Sequence, residues 1–473
     1  MPRSNASMNV DFEESKPVIT DEVNYFTVPP VNIVSDKITW VDTQPSYITN
    51  DGQKIIYFDL NSSSSRFVDL SKTELKVKLR IIDPLLDVKN NVFKQESGHT
   101  ALPIDNFLHS MWKSVDVKIG GTLVSTTGTE YMYKAFFENL LSYGENAKRI
   151  QMSLIGFTGE SGDFSNTNPE TQPLNTGLAQ RMDWFRPLRG PNALGPEEKK
   201  FSMSPKVVEF SGKLCADICN QDRLILSKCR IYISLFPSSD QFRLITCPDG
   251  TVAKVEIEDV RLSVCKVQVD PRVLIGISKG LELKPALYPF RKSEIRTHNI
   301  NVGAFSAYYE DQFQTLVPNR LIIGLVKAGS FAGDFSTNPL MFEDFGLSQI
   351  GFYVDNEPIP GKPIEINFEE GQYLEGLMSL YRVSGKLNEN TDLGITRSSY
   401  REGYALFGFE VNPSTSDNDF LYLGKTQRGT TKIDLKFHKA LPEAVTVVIY
   451  ATFPEIMEID QARVVRLRNK STE

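Results

Sequence analysis

The sequence predicts an all-β protein made of two tandem eight-stranded jelly rolls, with short helices confined to loops. Three observations carry that prediction. The 29 phenylalanines and 17 tyrosines exceed what a helical bundle uses, and aromatic and β-branched side chains fit pleated, half-buried surfaces best. Apolar/polar alternation recurs in short runs separated by Gly, Pro and Asn turns, while only two segments have a helical period. One ordered set of elements also occurs twice.

The chain of 473 residues is about three times a usual domain, room for two or three domains or one large β architecture. Lys plus Arg is 52 and Asp plus Glu is 59, a net charge of -7, which is the wrong sign for a protein that wraps nucleic acid over its whole surface. With 40% hydrophobic and 23% charged residues the balance is globular, and 31 glycines with 26 prolines exclude a collagen-like or wholly disordered chain. No apolar run approaches the roughly 18 residues of a spanning helix; Leu321–Val326 is among the longer ones. Cys215, Cys219, Cys229, Cys247 and Cys265 are odd in number and share one stretch. Met1–Asn24 reads polar and acidic rather than as an apolar leader, so reduced thiols in a cytosolic or nuclear setting, without secretion by a signal peptide, are expected.

Residues 1–30 lack periodicity and read as an extended arm that a partner orders. Leu75, Val77, Leu79 and Ile81 then alternate with Lys76, Lys78 and Arg80, which puts aliphatics on a buried face and cations in water. Val115, Val117 and Ile119 alternate up to Gly120-Gly121 and resume at Leu123, a hairpin whose turn needs positive φ. Further strands are expected over 224–235, 254–269, 404–411, 432–437 and 445–453. In 254–269 the buried parity slips by one residue, from Val255 and Ile257 to Val260, Leu262 and Val264, which places a β-bulge near Asp259. The helical segments are 130–143 and 370–383, the latter with Tyr373, Leu374, Leu377, Met378 and Tyr381 on one face.

Each helix follows a strand and a hairpin of similar shape. Ser114–Val124 precedes the helix at Tyr131, and Gln349–Ile359 precedes the helix at Tyr373. An upstream strand stands before each hairpin (74–81 and 320–326), and a terminal strand pair follows each helix. This repeat assigns 31–270 to a first jelly roll and 271–462 to a second, with 463–473 as a C-terminal tail. The boundary falls near Asp270–Pro289, where Pro271, Pro285 and Pro289 interrupt a ladder. Residues 157–205, rich in Gly, Asn, Thr and Pro, read as a long projecting loop of the first domain.

The search for chemistry yields no catalytic, cofactor-binding or metal residues. Gly276-Ile277-Ser278-Lys279-Gly280 fits the nucleophile-elbow pattern, but Pro285 and Pro289 follow where the elbow needs a helix, so a linker turn is expected. Gly424-Lys425-Thr426 resembles the end of a P-loop, yet Asp419 stands where its first Gly is required. The cysteines lack the paired close spacings of a zinc site and read as small buried hydrophobes, and His99, His109, His298 and His438 share no metal spacing. The 59 acids do not single out a glycosidase-type carboxylate pair. Arg463, Arg466, Arg468 and Lys470 form a basic tail, read as a solvated terminus or as a contact to nucleic acid or an acidic neighbour.

Several strings bear a family likeness. Thr73–Ile81, Asn106–Trp112 and Tyr131–Gly144 resemble the first half of the double jelly-roll, hexon-like major capsid proteins of Polinton/Maverick elements and adintoviruses. Leu287–Phe290, Pro318–Val326, Gly403–Phe407, Lys439–Val445 and Ile456–Asp460 resemble their second half. The likeness spans roughly Trp40 to Val465; residues 157–205 have no clear counterpart. It implies a non-enzymatic structural protein whose homotrimers form pseudo-hexagonal capsomers and tile an icosahedral virion shell around DNA. Neighbouring capsomers, penton and minor capsid proteins would be partners, with the terminal arms meeting packaged DNA, and synthesis would be in the host cytoplasm or nucleus. A glycan-processing jelly-roll enzyme and a lectin-like or domesticated binding protein are the alternatives.

Overall fold

The computed structural model describes residues 34–50, 53–60, 66–82, 86–87, 92–93, 101–168, 172–185, 206–245, 253–412 and 424–468. The expected arm over 1–30, Cys247, His99 and Lys470 lie outside these residues. In the first half the strands longer than two residues are β1 (Ser35–Thr43), β2 (Ser46–Asn50), β3 (Gln53–Leu60), β4 (Arg66–Ile82), β5 (Trp112–Ile119), β6 (Thr122–Thr126), β7 (Val208–Lys213), β8 (Ile231–Pro237) and β9 (Lys254–Val269). They form two antiparallel sheets, ordered β1-β9-β4-β7 and β2-β3-β8-β5-β6. Setting aside β2, which adds an outer strand, the eight others pair in the orders 1-8-3-6 and 2-7-4-5, the connectivity of a jelly roll.

The second half repeats it. Strands β10 (Ala286–Ile300), β11 (Ser306–Glu310), β12 (Arg320–Lys327), β13 (Leu347–Val354), β14 (Glu357–Glu365), β15 (Leu406–Glu410), β16 (Thr431–Phe437) and β17 (Val445–Ile459) form sheets β10-β17-β12-β15 and β11-β16-β13-β14, again 1-8-3-6 and 2-7-4-5. Between strands four and five each half turns through two residues of positive φ: Gly120 and Gly121 at 58° and 87°, Asp355 and Asn356 at 51° and 66°. Such turns match the twist of the strands they join. The helices α1 (Tyr131–Ser142) and α4 (Leu374–Val383) follow these hairpins at matching places.

Leu75, Val77 and Leu79 are buried, as are Ile433, Leu435 and Phe437, while Lys78 is exposed and Lys76 half-buried. The β9 bulge falls between Ile257 and Asp259 in its pairing with β4, where the parity slip puts it.

Four expectations about the linker, strands and helix faces need correction. The linker is a 13-residue helix, α3 (Pro271–Leu283), rather than a turn: Asp270 caps it by accepting the Arg272 N–H, and Pro271 takes the first helical position, where a missing N–H is harmless. Pro289 sits within β10 opposite Ile456, tolerated because β10 is an edge strand. The strand expected over 224–235 starts only at Ile231, since Lys228 adopts a φ of 65°. Finally, α4 buries Gly376, Leu377, Ser379, Leu380 and Val383, leaving Leu374 exposed. A Cβ on Gly408 would meet Val383 at 2.5 Å and the Ser379 carbonyl at 2.8 Å, so glycine contacts, rather than the bulkiest stripe, set which face of α4 lies on β15.

Candidate functional site

The seam between the two jelly rolls concentrates the buried polar chemistry. Helix α1 is buried on nearly every side, because it lies between the halves instead of on a surface. Tyr133 stacks on Phe331 with ring centroids 5.2 Å apart; Phe136 and Phe137 meet Phe342, and Phe137 also meets Tyr450, all from the second half. The Tyr133 hydroxyl donates to the Pro339 carbonyl at 3.0 Å.

Two ionic clusters flank α1. In the first, Arg181 on α2 (Thr176–Phe185) is fully buried. Its Nε donates to the Pro103 carbonyl at 2.9 Å, Nη1 to Thr158 Oγ1 at 2.6 Å and Nη2 to Glu160 Oε1 at 2.6 Å, with Asp105 at 3.6 Å. Asn338 of the second half donates to the same Glu160 oxygen, and the Glu160 N–H donates to the Tyr404 hydroxyl. Burial raises the Asp105 pKa against the pull of Arg181. In the second cluster Lys134 lies 2.7 Å from Glu138 and 3.1 Å from Asp217, and Ser293 of β10 donates to Asp217. Burial alone would lower Lys134, but Asp217 and Glu138 overcome it and the ammonium is held above its ordinary pKa. Both clusters therefore keep their charges within the first half and reach the second through neutral partners, Asn338 and Tyr404 in one and Ser293 in the other.

The described part of 157–205 is thus not a projecting loop. Phe157, Phe164, Leu178, Arg181 and Phe185 are buried, and Phe164 packs edge-on against Tyr404 of the second half, 5.0 Å between centroids. The tail is also ordered where it is described. Strand β18 (Val465–Leu467) pairs with β17, Val465 is buried, Thr122 Oγ1 donates to the Val465 carbonyl and Arg463 Nε donates to the Ser227 carbonyl. Apolar Val465 and Leu467 alternating with Arg466 were the available signal, masked by the surrounding arginines.

Sequence reading missed one pair with catalytic appearance. His109 Nε2 lies 3.8 Å from Cys215 Sγ, and His109 Nδ1 shares a 2.9 Å hydrogen bond with the Tyr131 hydroxyl. No local spacing joins residues 106 positions apart. A cysteine nucleophile requires a thiolate beside an imidazolium. Here burial drives both the other way, pushing the Cys215 thiol far up and the His109 pKa down to about 3, with Lys134 adding to the latter. The pair is neutral and buried, suited to packing.

The remaining candidates are dispersed. Gly276–Gly280 lies inside α3, and Gly424–Thr426 leads into the short strand Gln427–Arg428 without a following helix. Cys215, Cys219, Cys229 and Cys265 are buried and free, His298 stacks on Tyr309, and His438 meets the Ile366 carbonyl. Among the described residues no group of three or more His, Cys, Asp or Glu is placed to hold a metal ion, and no helix is long and apolar enough to cross a membrane. A cleft of about 590 Å³ opens at the seam beside Glu138, Lys213, Arg291, Arg320 and Tyr450, with charges of both signs.

Comparison with solved structures decides the fold. A chain of the Sputnik virophage structure superposes with a TM-score of 0.61 at 10% identity, covering 100% of this chain and 96% of that one. The mavirus major capsid protein gives 0.56 at 12% identity, covering 99% and 96%. The chain has the double jelly-roll fold. The double jelly roll of PBCV-1 VP54, fitted into a reconstruction of the Sputnik virophage, gives 0.56 at 9% identity over 94% of this chain and 100% of that one. No family model matches. A Caenorhabditis elegans protein described as uncharacterized, F54H12.2, is 26% identical over 420 residues, 86% of this chain and 91% of that protein.

Proposed function

We propose that the chain is a structural major capsid protein of the Polinton/Maverick and adintovirus type. Three copies form a pseudo-hexagonal capsomer, and capsomers tile an icosahedral shell around a DNA genome. The observation that carries this reading is a pair of jelly rolls of identical connectivity locked into one block by a continuous buried seam. Such a block offers two equivalent upright sandwiches per chain, so closed threefold symmetry yields six. The similarity to virophage coat structures over nearly their whole length supports the same layout. Exposed apolar groups, Ile150 and Leu154 in the first half and Val302 and Phe305 in the second, supply surface for lateral contacts. The protein acts in the virion after synthesis in the host cell, beside penton and minor capsid proteins, with the part of the 1–30 arm that precedes Tyr25 facing neighbours or packaged DNA.

The reading involves no catalysis: the Cys215–His109 pair is neutral and buried, and the clustered carboxylates are occupied by Arg181 and Lys134. Electron microscopy of the purified full chain tests it. Six-lobed trimers and shells are expected, and a monomer that turns over glycans would overturn it. The nematode relative favours a second reading, a host-retained protein on the same fold; a stable trimer that never assembles under any ionic condition would select it.

A further inference from the structure

An apolar groove lies where the chain enters its first strand, away from the seam clusters. Val34, Phe67, Leu226, Val269, Ile277 and Leu287 line an open cleft of about 470 Å³ between β1, α3 and the start of β10, a size typical of ligand clefts. Its floor is fixed across both jelly rolls. The Tyr288 hydroxyl donates to the Leu224 carbonyl at 3.1 Å and accepts from the Leu226 N–H at 3.3 Å, and Arg223 donates to the Leu287 carbonyl. The Asp270 N–H donates to the Val34 carbonyl at 3.2 Å, and Ser35 pairs with Val269. The chain preceding Val34 therefore begins at the groove's own rim.

That preceding sequence is unlike the rest of the arm. Asn24–Ile33 contains no charged residue and carries Tyr25, Phe26, Val28, Val31 and Ile33 around Pro29-Pro30, between Asp21-Glu22 upstream and Asp36-Lys37 downstream. We propose that the groove seats this chain's own segment Tyr25–Ile33, laid across the linker from Val34. Its nine residues reach at most about 30 Å when extended, and the covalent tether at the rim gives it a high effective concentration. The proline pair narrows the conformations lost on docking. Apolar side chains on an apolar groove leave water together, and the acidic stretch before Tyr25 stays available to a partner. The segment then clamps the two jelly rolls at the linker, and this holds whether or not the protein builds a shell.

Hydrogen–deuterium exchange on four proteins tests the proposal: the full chain, a deletion of residues 1–24, a deletion of residues 1–33, and the full-length double variant Val31→Asp/Ile33→Asp. Residues 224–226 and 284–288 are expected to exchange on the order of ten-fold faster in the last two than in the first two. Equal exchange in all four overturns the proposal. The aspartate variant keeps the test open if the longer deletion fails to fold. A full-length Val31→Cys/Ala286→Cys variant, oxidised and run without reductant, should yield an intrachain link at monomer mass. Interchain dimers would instead assign the groove to a second copy, and no link at all would count against any occupancy by this segment.

Discussion

Replacing Arg181 by Met keeps most of the side-chain volume and removes the charge that the first seam cluster is built around. The guanidinium is fully buried and makes three hydrogen bonds of 2.6 to 2.9 Å, and its loss leaves Asp105 and Glu160 as buried carboxylates without a cation. Breaking a buried ion pair from one side destabilises by about 3–5 kcal/mol. At roughly 2.1 cal/mol/K per residue, a chain of this length unfolds with an entropy of about 1 kcal/mol/K, so the melting temperature should fall by about 3–5 °C when both jelly rolls melt as one unit. The deficit should also depend on pH. Burial already raises the Asp105 pKa, and removing Arg181 raises it further. A carboxyl whose folded pKa lies above its unfolded value contributes stability at low pH that is lost as pH rises through the folded value. The gap between variant and wild type should therefore narrow from pH 7 to pH 5, and Arg181→Met/Glu160→Gln should recover part of it at pH 7. Urea denaturation at both pH values reads these quantities. A loss below about 1 kcal/mol, or a gap independent of pH, would refute the assignment of Arg181 as the seam's buried counter-ion.

Three further outcomes are expected. Leu75→Ala should destabilise by about 2–5 kcal/mol, whereas Lys78→Ala, which removes only an exposed ion pair with Glu209, should be far milder in the same urea assay; the reverse order would overturn the register of β4. Lys148 donates to the Leu140 and Leu393 carbonyls across the seam, and burial lowers its pKa to about 7. Between that value and its ordinary range the unfolded chain binds more protons, so wild-type stability should rise with pH above 7 by up to about 1.4 kcal/mol per unit, an increment that Lys148→Met lacks. Deleting residues 461–473 removes β18 and uncovers the site of Val465, so it should lower the melting temperature of the folded protein; unchanged melting would show that the strand contributes nothing to the block.

Much of the fold was legible because β periodicity is local. Alternation placed Leu75, Val77 and Leu79, a parity slip located the bulge at Asp259, and Gly120-Gly121 announced a hairpin that the second half repeats at Asp355-Asn356. Errors arose where one position serves two structural grammars. Pro271 reads as a breaker but also starts a helix, and Pro289 is barred from central strands but not from an edge. The seam was the least legible part. Arg181, Glu160, Asp105, Lys134 and Asp217 are scattered over more than a hundred residues and acquire meaning only when α1 is enclosed between the sandwiches. The Cys215–His109 contact shows the converse hazard, since proximity alone suggests catalysis and the surrounding burial removes it.

The native mass of the purified full chain tests the central claim most directly. One chain is 53.3 kDa, so light scattering under conditions that suppress shell assembly should return three times 53.3 kDa, about 160 kDa, with six lobes in class averages. A 53.3 kDa particle at every concentration and ionic strength would contradict the proposal that this double jelly roll builds a pseudo-hexagonal coat.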